Sequence, residues 1–451
     1  MSVLKPLISQ FNSLRSYTGS LAWHPLLQVS RSTCLSLLQR IQIGCLEIVD
    51  FDGQSYNCGP MSSASPYAQL RVNKETFWVR LLLFADMGFA ESYMLSEISC
   101  SDLTSFFKIF ILNKAHLSGS TLTASLSNSL SAFLRKTNTL ANARLHISAH
   151  YDISNAMFAA FLSEDMTYSC PIWLPVSDPR SATESLEAAQ ERKLSRFIRN
   201  TRLKAGDRVL EIGTGWGSLA IKAVKETGCT VTSLTLSVEQ KELAEERIRS
   251  AGLEDKITVL LCDYRALEVP KEGPFDKIIS IEMLEAVGAE FLETYFACVD
   301  RLLKKDGGIA CFQCITIPES RYDAYARSDD FIRRYIFPGG HLPSISQLVQ
   351  SIARGSKGTL VVDDVENIGA HYAKTLRLWK EKFLLNFESE IKPALLREHE
   401  DMTKADVEVF KRKWEYYFTY CEAGFATKTL GDHIITVSRE GAMEAIQDVP
   451  L

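Results

Sequence analysis

From residue 205 onward, short apolar runs alternate with longer stretches in which apolar residues recur every three or four positions. Arg208–Ile212 reads as a strand, and a glycine turn with a helical stretch to residue 225 follows it. The pattern then predicts strands over 229–236, 257–262, 275–281 and 308–317, with helices over Val238–Ser250 and 290–303. Near-continuous apolar strands separated by helices of this length predict an α/β fold with a parallel sheet covered on both faces. Two later runs, 359–365 and 433–438, can extend that sheet. Between them, 372–387 and 404–420 have helical spacing and are rich in aromatic and basic residues.

Earlier in the chain the patterns are shorter. Residues 45–53 read as a strand running into a turn, and 77–84 and 104–112 as amphipathic helices. A stretch rich in Ser, Thr and Asn over 118–142 reads as a linker. The implied division is an N-terminal extension (1–45), a small domain (46–142) and a catalytic domain (143–451).

Composition narrows the classes. A chain of 451 residues has room for two or three domains. With 46% hydrophobic and 10% aromatic residues it can bury a core, which excludes a disordered chain. A net charge of −5 gives no basis for a nucleic-acid partner. No apolar run approaches the roughly 20 residues needed to cross a bilayer, and the N-terminus lacks the apolar stretch and cleavage site of a signal peptide. The eleven scattered cysteines read as reduced thiols. Cys311 and Cys314 form a CxxC inside an apolar run with no second pair, so they read as two positions on a buried strand and no metal is expected. Together these features point to a cytoplasmic protein.

The first strand ends in Glu211-Ile212-Gly213-Thr214-Gly215-Trp216-Gly217 and opens a helix. Glycines there let the backbone approach a ligand at the carboxyl end of the first strand. Residue 218 is Ser, so the dinucleotide fingerprint G-x-G-x-x-G is not met. Polar residues Thr235, Ser237 and Gln240 follow the second strand, and Asp263, Tyr264 and Arg265 follow the third. An acid, a glycine elbow and polar groups at ribose height suit a ligand with an amino acid end and an adenosine.

This arrangement resembles the class I S-adenosylmethionine-dependent methyltransferases. The resemblance implies S-adenosylmethionine as methyl donor, held by Glu211, Gly213, Gly215, Gly217, Thr235, Ser237, Gln240, Asp263, Tyr264 and Arg265. Many such enzymes carry an acid at the end of the second strand; here Gln240 stands as the ribose partner.

Further motifs narrow the resemblance. They are His150-Tyr151-Asp152, Tyr168-Ser169-Cys170-Pro171, Glu282-Met283-Leu284-Glu285-Ala286-Val287-Gly288, Phe337-Pro338-Gly339-Gly340, Asn367-Ile368-Gly369-Ala370-His371-Tyr372 and Trp414-Glu415-Tyr416-Tyr417-Phe418. Over about 145–440 they look like the cyclopropane-fatty-acyl-phospholipid synthase family, which includes the mycolic acid cyclopropane synthases. Residues 46–110 also resemble the small N-terminal domain of its bacterial and plant members. Tyr168 and Ser169 then join the cofactor-binding set.

The implied reaction adds a methylene bridge across a cis double bond of a phospholipid acyl chain. An isolated alkene is a poor nucleophile, so methyl transfer creates a carbocation that must lose a proton from the new methyl to close the ring. Such a site needs apolar walls, negative or π-rich surroundings and a base. In the family the base is a bound bicarbonate, and its ligands fall here on Cys170, Glu285, Gln313, the backbone of Ile315, and Tyr372. Two positions depart from the bacterial pattern, which has His where this chain has Gln313 and Ala286; plant members resemble this chain at both. Gln donates and accepts through its amide but cannot relay a proton as His does.

Each residue also has a plainer role open to it: Cys170 a packed thiol, Glu285 a helix-start acid, Tyr372 a helix-start aromatic, His150 a turn residue. His341 is assigned no chemistry. The aromatic clusters Trp379-Phe383 and Trp414-Tyr417-Phe418 suit a core at least as well as a lipid tunnel. Basic residues over 374–382 and 411–413 suggest peripheral attachment to an anionic membrane surface, or a solvated helix face. The resemblance also implies a homodimer. The competing readings are a small-molecule N- or C-methyltransferase of the same fold, a methyl-branching lipid methyltransferase, and a non-catalytic lipid-binding protein.

Overall fold

A computed structural model describes residues 19–117 and 154–447, arranged as two compact units. The linker expected over 118–142, His150 and residues 151–153 lie outside the described residues.

The first unit gathers the described residues up to 117 with Asp329–Pro338 and Phe387–Thr427. Its sheet holds β1 (Cys45–Val49), β2 (Ser55–Cys58), β3 (Tyr67–Val72) and β4 (Ile98–Cys100) in the order β2-β1-β3-β4. On β1, Leu46 and Ile48 are buried while the intervening Glu47 is only partly so, the two-residue alternation of a half-buried strand. The expected helix over 77–84 is the first part of a longer one, Thr76–Met94, which breaks its helical dihedrals at Ala85.

The helix Lys404–Ala426 starts on a capping box between Thr403 and Asp406. Its aromatic face is core. Tyr416 packs against Phe89, Phe107 and Phe331 at 6.3, 5.1 and 4.4 Å, and Trp414 and Phe418 are fully buried. At about 1.5–3 kcal/mol per large buried side chain, this face belongs with the N-terminal helices rather than with the sheet that follows. The packing units are thus interleaved along the chain.

The second unit runs from 154 to Ser328 and adds Gly339–Asn386 and residues from Lys428 onward. Its seven strands are β5 (Arg208–Ile212), β6 (Thr230–Thr235), β7 (Ile257–Leu261), β8 (Lys277–Ile281), β9 (Ile309–Thr316), β10 (Leu360–Asn367) and β11 (Gly431–Arg439). The order is β10-β11-β9-β8-β5-β6-β7. β5 to β9 pair parallel, as expected, whereas β11 lies antiparallel between β9 and β10. Ile278, Ile279, Ala310, Cys311 and Phe312 are all fully buried, which is why these strands read as unbroken apolar runs.

The chain runs outward from β5 to β6 and β7, then crosses to β8 on the other side. The β5/β8 boundary is thus the switch point at which open α/β sheets bind ligands beyond their carboxyl ends. Among the described residues, no helix is long and apolar enough to cross a membrane.

Candidate active site

At the end of β5 the chain turns through three glycines with positive φ, Gly213 (105°), Gly215 (51°) and Gly217 (84°). The N–H groups of Gly213 and Thr214 both donate to the Leu234 carbonyl, at 3.0 and 2.9 Å, anchoring the turn to β6. Arg247 donates to the Trp216 carbonyl at 2.8 Å, and the Trp216 indole donates to Asn155 Oδ1 at 2.8 Å. The inner side of the turn is open. A Cβ at Gly215 would meet no atom within 4 Å, and one at Gly213 would meet only Met283 at 3.5 Å. A fixed backbone with an open face fits the close approach of a small ligand.

Glu211 is buried beneath this turn. Its Oε2 accepts from the Ser233 hydroxyl at 2.5 Å, and Ser233 shares a hydrogen bond with the Thr214 hydroxyl at 2.7 Å. Burial pushes its carboxyl up to about 8. After β6, the Thr235 hydroxyl donates to Gln240 Oε1 at 2.9 Å, and Ser237 caps the helix Val238–Ser250 by accepting from the Gln240 N–H at 3.1 Å. After β7, Asp263 is clamped by Arg265, which donates to it from the backbone at 2.8 Å and from the guanidinium at 2.9 and 2.5 Å. Tyr264 packs edge-on against Tyr295 at 4.9 Å.

The segment before the sheet supplies an aromatic wall. Tyr168 packs against Phe158 at 5.0 Å and Trp379 at 5.2 Å; Trp379 also meets Phe161 at 6.1 Å and Tyr372 at 5.8 Å. Ser169 accepts from Lys193 Nζ at 2.6 Å, and Lys193 is fully buried.

Beside this wall lies a nest of buried acids. Directly after β8 comes Glu282, whose φ of 48° lies in the left-handed region that a glutamate rarely adopts. Glu282 Oε1 accepts from the Cys170 N–H and from Gln313 Nε2, both at 2.8 Å; Oε2 accepts from the Tyr372 hydroxyl at 2.7 Å. Gln313 Nε2 also donates to Asp432 Oδ2 at 2.7 Å. Glu285 Oε1 accepts from the Ile315 N–H at 2.5 Å, and its carbonyl accepts from the His341 N–H at 2.8 Å. Burial, then the charge of Glu282, pushes Glu285 up to about 8 and Asp432 well above the carboxylate range. Burial likewise holds the Cys170 thiol well above its usual value, so it stays protonated.

The fold thus brings Cys170, Glu285, Gln313, Ile315 and Tyr372 together, as the sequence suggested, but around two acids it had not assigned. Glu282 stood within a quoted motif, yet only its backbone angle and three donors single it out. Asp432 and Lys193 carry no sequence signal; β11 and the helix Leu186–Asn200 bring them in. A bicarbonate does not fit this nest as it stands. Cys170, Gln313 and Tyr372 give their hydrogen bonds to Glu282, and Ile315 gives its own to Glu285. Tyr372 thus serves Glu282, and His341 lies beside the nest through its backbone.

The basic stretches also differ from expectation. Of Lys374, Arg377, Lys380, Lys382, Lys411, Arg412 and Lys413, Arg377 alone is exposed. Arg412 sits 3.9 Å over the Tyr93 ring and donates to the Ile98 carbonyl at 2.8 Å, while Lys413 is buried, its ammonium pushed down to about 7. Lys374 sits 3.7 Å over the Trp173 ring. Lys374, Arg412 and Lys413 are thus part of packed helix faces, while Arg377 is left exposed. Cys311 and Cys314, three apart on β9, are both buried, and all eleven cysteines are unpaired.

A profile of the mycolic acid cyclopropane synthetase family matches residues 138–433. A tuberculostearic acid methyltransferase of Mycobacterium tuberculosis is 38% identical over 362 residues, covering 79% of each chain. A cyclopropane-fatty-acyl-phospholipid synthase of Escherichia coli is 34% identical over 379 residues, covering 82% of this chain and 87% of that one. The solved structure of mycolic acid cyclopropane synthase CmaA1 with S-adenosylhomocysteine (SAH) and CTAB superposes with a TM-score of 0.54 at 28% identity, covering 66% of this chain and 98% of that one. An open glycine turn at the sheet's switch point, an acid nest beside it and these relatives agree: the chain is an S-adenosylmethionine-dependent methyltransferase and belongs to the mycolic acid cyclopropane synthetase family.

Proposed function

We propose that the protein adds a methylene bridge from S-adenosylmethionine across a cis double bond of a phospholipid acyl chain, forming a cyclopropane ring. The observation that carries this reading is the juxtaposition, in one unit, of the open glycine turn with a buried acid nest and an aromatic wall.

Bound at the turn, S-adenosylmethionine supplies an electrophilic methyl group. Glu211, Gly213, Gly215, Gly217 and Ser169 hold its amino acid end. Thr235, Ser237 and Gln240 hold the ribose, and Asp263, Tyr264, Arg265 and Tyr168 hold the rest of the adenosine side. Gln240, its Oε1 engaged by Thr235, would have its NH₂ left to donate to a ribose hydroxyl.

An alkene attacked by a methyl cation equivalent leaves positive charge on the chain. The Tyr168, Tyr372 and Trp379 rings and the carboxylates near them stabilise that charge in a site from which water is kept. Lys193 is the buried counter-cation that keeps several acids tolerable together. The nest then faces the carbon that must lose a proton, and Cys170, Gln313, Ile315 and Tyr372 position its acids. A bicarbonate base could act here only after displacing the Glu282 carboxylate. The acyl chain belongs to a bilayer, so the protein works at the periphery of a cytoplasmic membrane surface.

A second reading, a methyl-branched product, is favoured by the 38% identical relative, which is named a methyltransferase. Both begin with the same cation and differ in which proton is lost. The test is incubation of the purified protein with methyl-labelled S-adenosylmethionine and vesicles of cis-monounsaturated phospholipids. Lipid gaining one labelled CH₂ with upfield ring-methylene proton resonances supports ring closure. The same mass with olefinic or methyl resonances instead selects branching, and unlabelled lipid removes both readings.

A further inference from the structure

We propose that the Glu282 carboxylate is itself the base of this enzyme, occupying the seat that related enzymes are expected to fill with bicarbonate. The inference rests on the methyl-transfer reading above and deepens it.

A carboxylate and a bicarbonate share a planar O–C–O group that accepts several hydrogen bonds. The donors the resemblance assigns to the ion converge instead on Glu282. The Cys170 N–H and Gln313 Nε2 reach Oε1 at 2.8 Å each, and the Tyr372 hydroxyl reaches Oε2 at 2.7 Å. The remaining backbone donor, Ile315 N–H, is held by Glu285. What is left over in the nest is the wrong polarity for an anion. Glu285 Oε2, Gln313 Oε1 and Asp432 Oδ1 are buried acceptors with no hydrogen-bond partner among the described residues. They call for protons or donors, not for a further negative charge.

The backbone makes the same point. A left-handed φ of 48° is unfavourable for a non-glycine residue. Here it turns the Glu282 side chain into the nest, where three donors hold it, and strain of this kind collects at functional sites. Three donors on Glu282 favour its ionised form over its neighbours. Burial pushes both carboxyls up, and the charge of Glu282 pushes Asp432 well above the carboxylate range, so Asp432 is the one that keeps its proton.

The step balances without an added ion. Methyl transfer uses the alkene π pair for the new C–C bond and leaves the C–S pair on sulfur. Glu282 accepts one proton from the added carbon, the freed C–H pair closes the third ring bond, and the positive charge is lost. Glu282, now a carboxylic acid, returns its proton to water as product leaves.

The experiment compares the full chain with Glu282→Gly and Glu282→Gln in carbonate-free buffer, with and without added ¹³C-bicarbonate. Bound bicarbonate is read by carbon NMR and product by labelled lipid. Glycine suits the dihedral at 282, so Glu282→Gly is expected to fold, to bind ¹³C-bicarbonate, and to be inactive until bicarbonate is added. Wild type is expected to bind none and to work unchanged without it, while Glu282→Gln falls by about 10²–10⁴-fold and is not rescued. Wild type that binds bicarbonate and depends on it, or Glu282→Gln at the wild-type rate, would overturn the proposal. The binding arm needs no lipid, so labelled lipid missing from every sample would strike the methyl-transfer reading while the bicarbonate titration still reports on the seat.

Discussion

The hydroxyl of Tyr372 donates to Oε2 of Glu282 at 2.7 Å across ninety positions of chain. One residue stands near the start of the helix Ala370–Asn386 and the other directly follows β8 at the switch point, so the contact ties the sheet's ligand edge to the aromatic wall.

Removing that donor should slow chemistry without loosening the cofactor. A hydrogen bond to a charged group is worth about 1.5–3 kcal/mol, so Tyr372→Phe is expected to lower kcat by about 10- to 150-fold. Affinity for S-adenosylmethionine, measured by calorimetry, should stay at the wild-type value. An equal loss of affinity would place Tyr372 on the cofactor side instead.

Gln313 links two acids through one amide, at 2.8 Å to Glu282 and 2.7 Å to Asp432. Gln313→Ala strips that donor from both. Activity should fall, and the acid limb of the pH–rate profile should move to higher pH, because a carboxylate that loses a donor binds its proton more tightly. Unchanged activity and an unmoved limb would deny Gln313 this role.

Glu211 predicts a stability signature. Burial raises its carboxyl from the ordinary 4.5 to about 8 in the native state. Between those values the native chain holds a proton that the unfolded chain has released. Its stability contribution is therefore complete below about 4.5 and is lost as pH rises through about 8. Urea titrations of Glu211→Gln against wild type should show their difference moving in the variant's favour by roughly 1.4 kcal/mol per pH unit across that window. A flat difference would mean that Glu211 is ionised in the fold.

The glycine turn predicts a separable loss of binding. Gly215 has φ 51° and an open side. Gly215→Leu should cost about 1–2 kcal/mol of stability yet leave the chain folded, by circular dichroism, while lowering affinity for S-adenosylmethionine by about tenfold or more. Full affinity in the folded variant would move the cofactor away from this turn.

Membrane attachment should respond little to salt. Arg412 and Lys413 are engaged within a packed helix face rather than presented to solvent. Co-sedimentation with anionic phospholipid vesicles is expected to change little between low and high ionic strength. A steep decline would reveal a basic surface elsewhere on the molecule.

Much of the second unit is legible in the sequence. The runs around Leu210, Ile278 and Phe312 are apolar because both faces of those strands are covered, and Glu211 to Gly217 announce a ligand turn through residue types that few other conformations need. Cys170, Gln313 and Tyr372 were reachable through their motifs. Their partners are less so: Glu282 stands beside Glu285 in one motif, and nothing in a string of letters distinguishes a glutamate with φ 48° from one in a helix.

By itself the sequence determined the alternating strands and helices, the glycine elbow and the residue types gathered for methyl transfer, because these follow from local periodicity and local backbone demands. Tertiary structure alone decided that Lys404–Ala426 packs with the N-terminal helices, that Arg412 and Lys413 are turned inward, and that Asp432 and Lys193 join the acid nest. It also decided that Glu282 receives the hydrogen bonds of Cys170, Gln313 and Tyr372. Those outcomes depend on burial and on hydrogen bonds between segments far apart in the chain, where desolvation makes every unpaired donor or charge costly, and no local pattern encodes which distant partner will satisfy it.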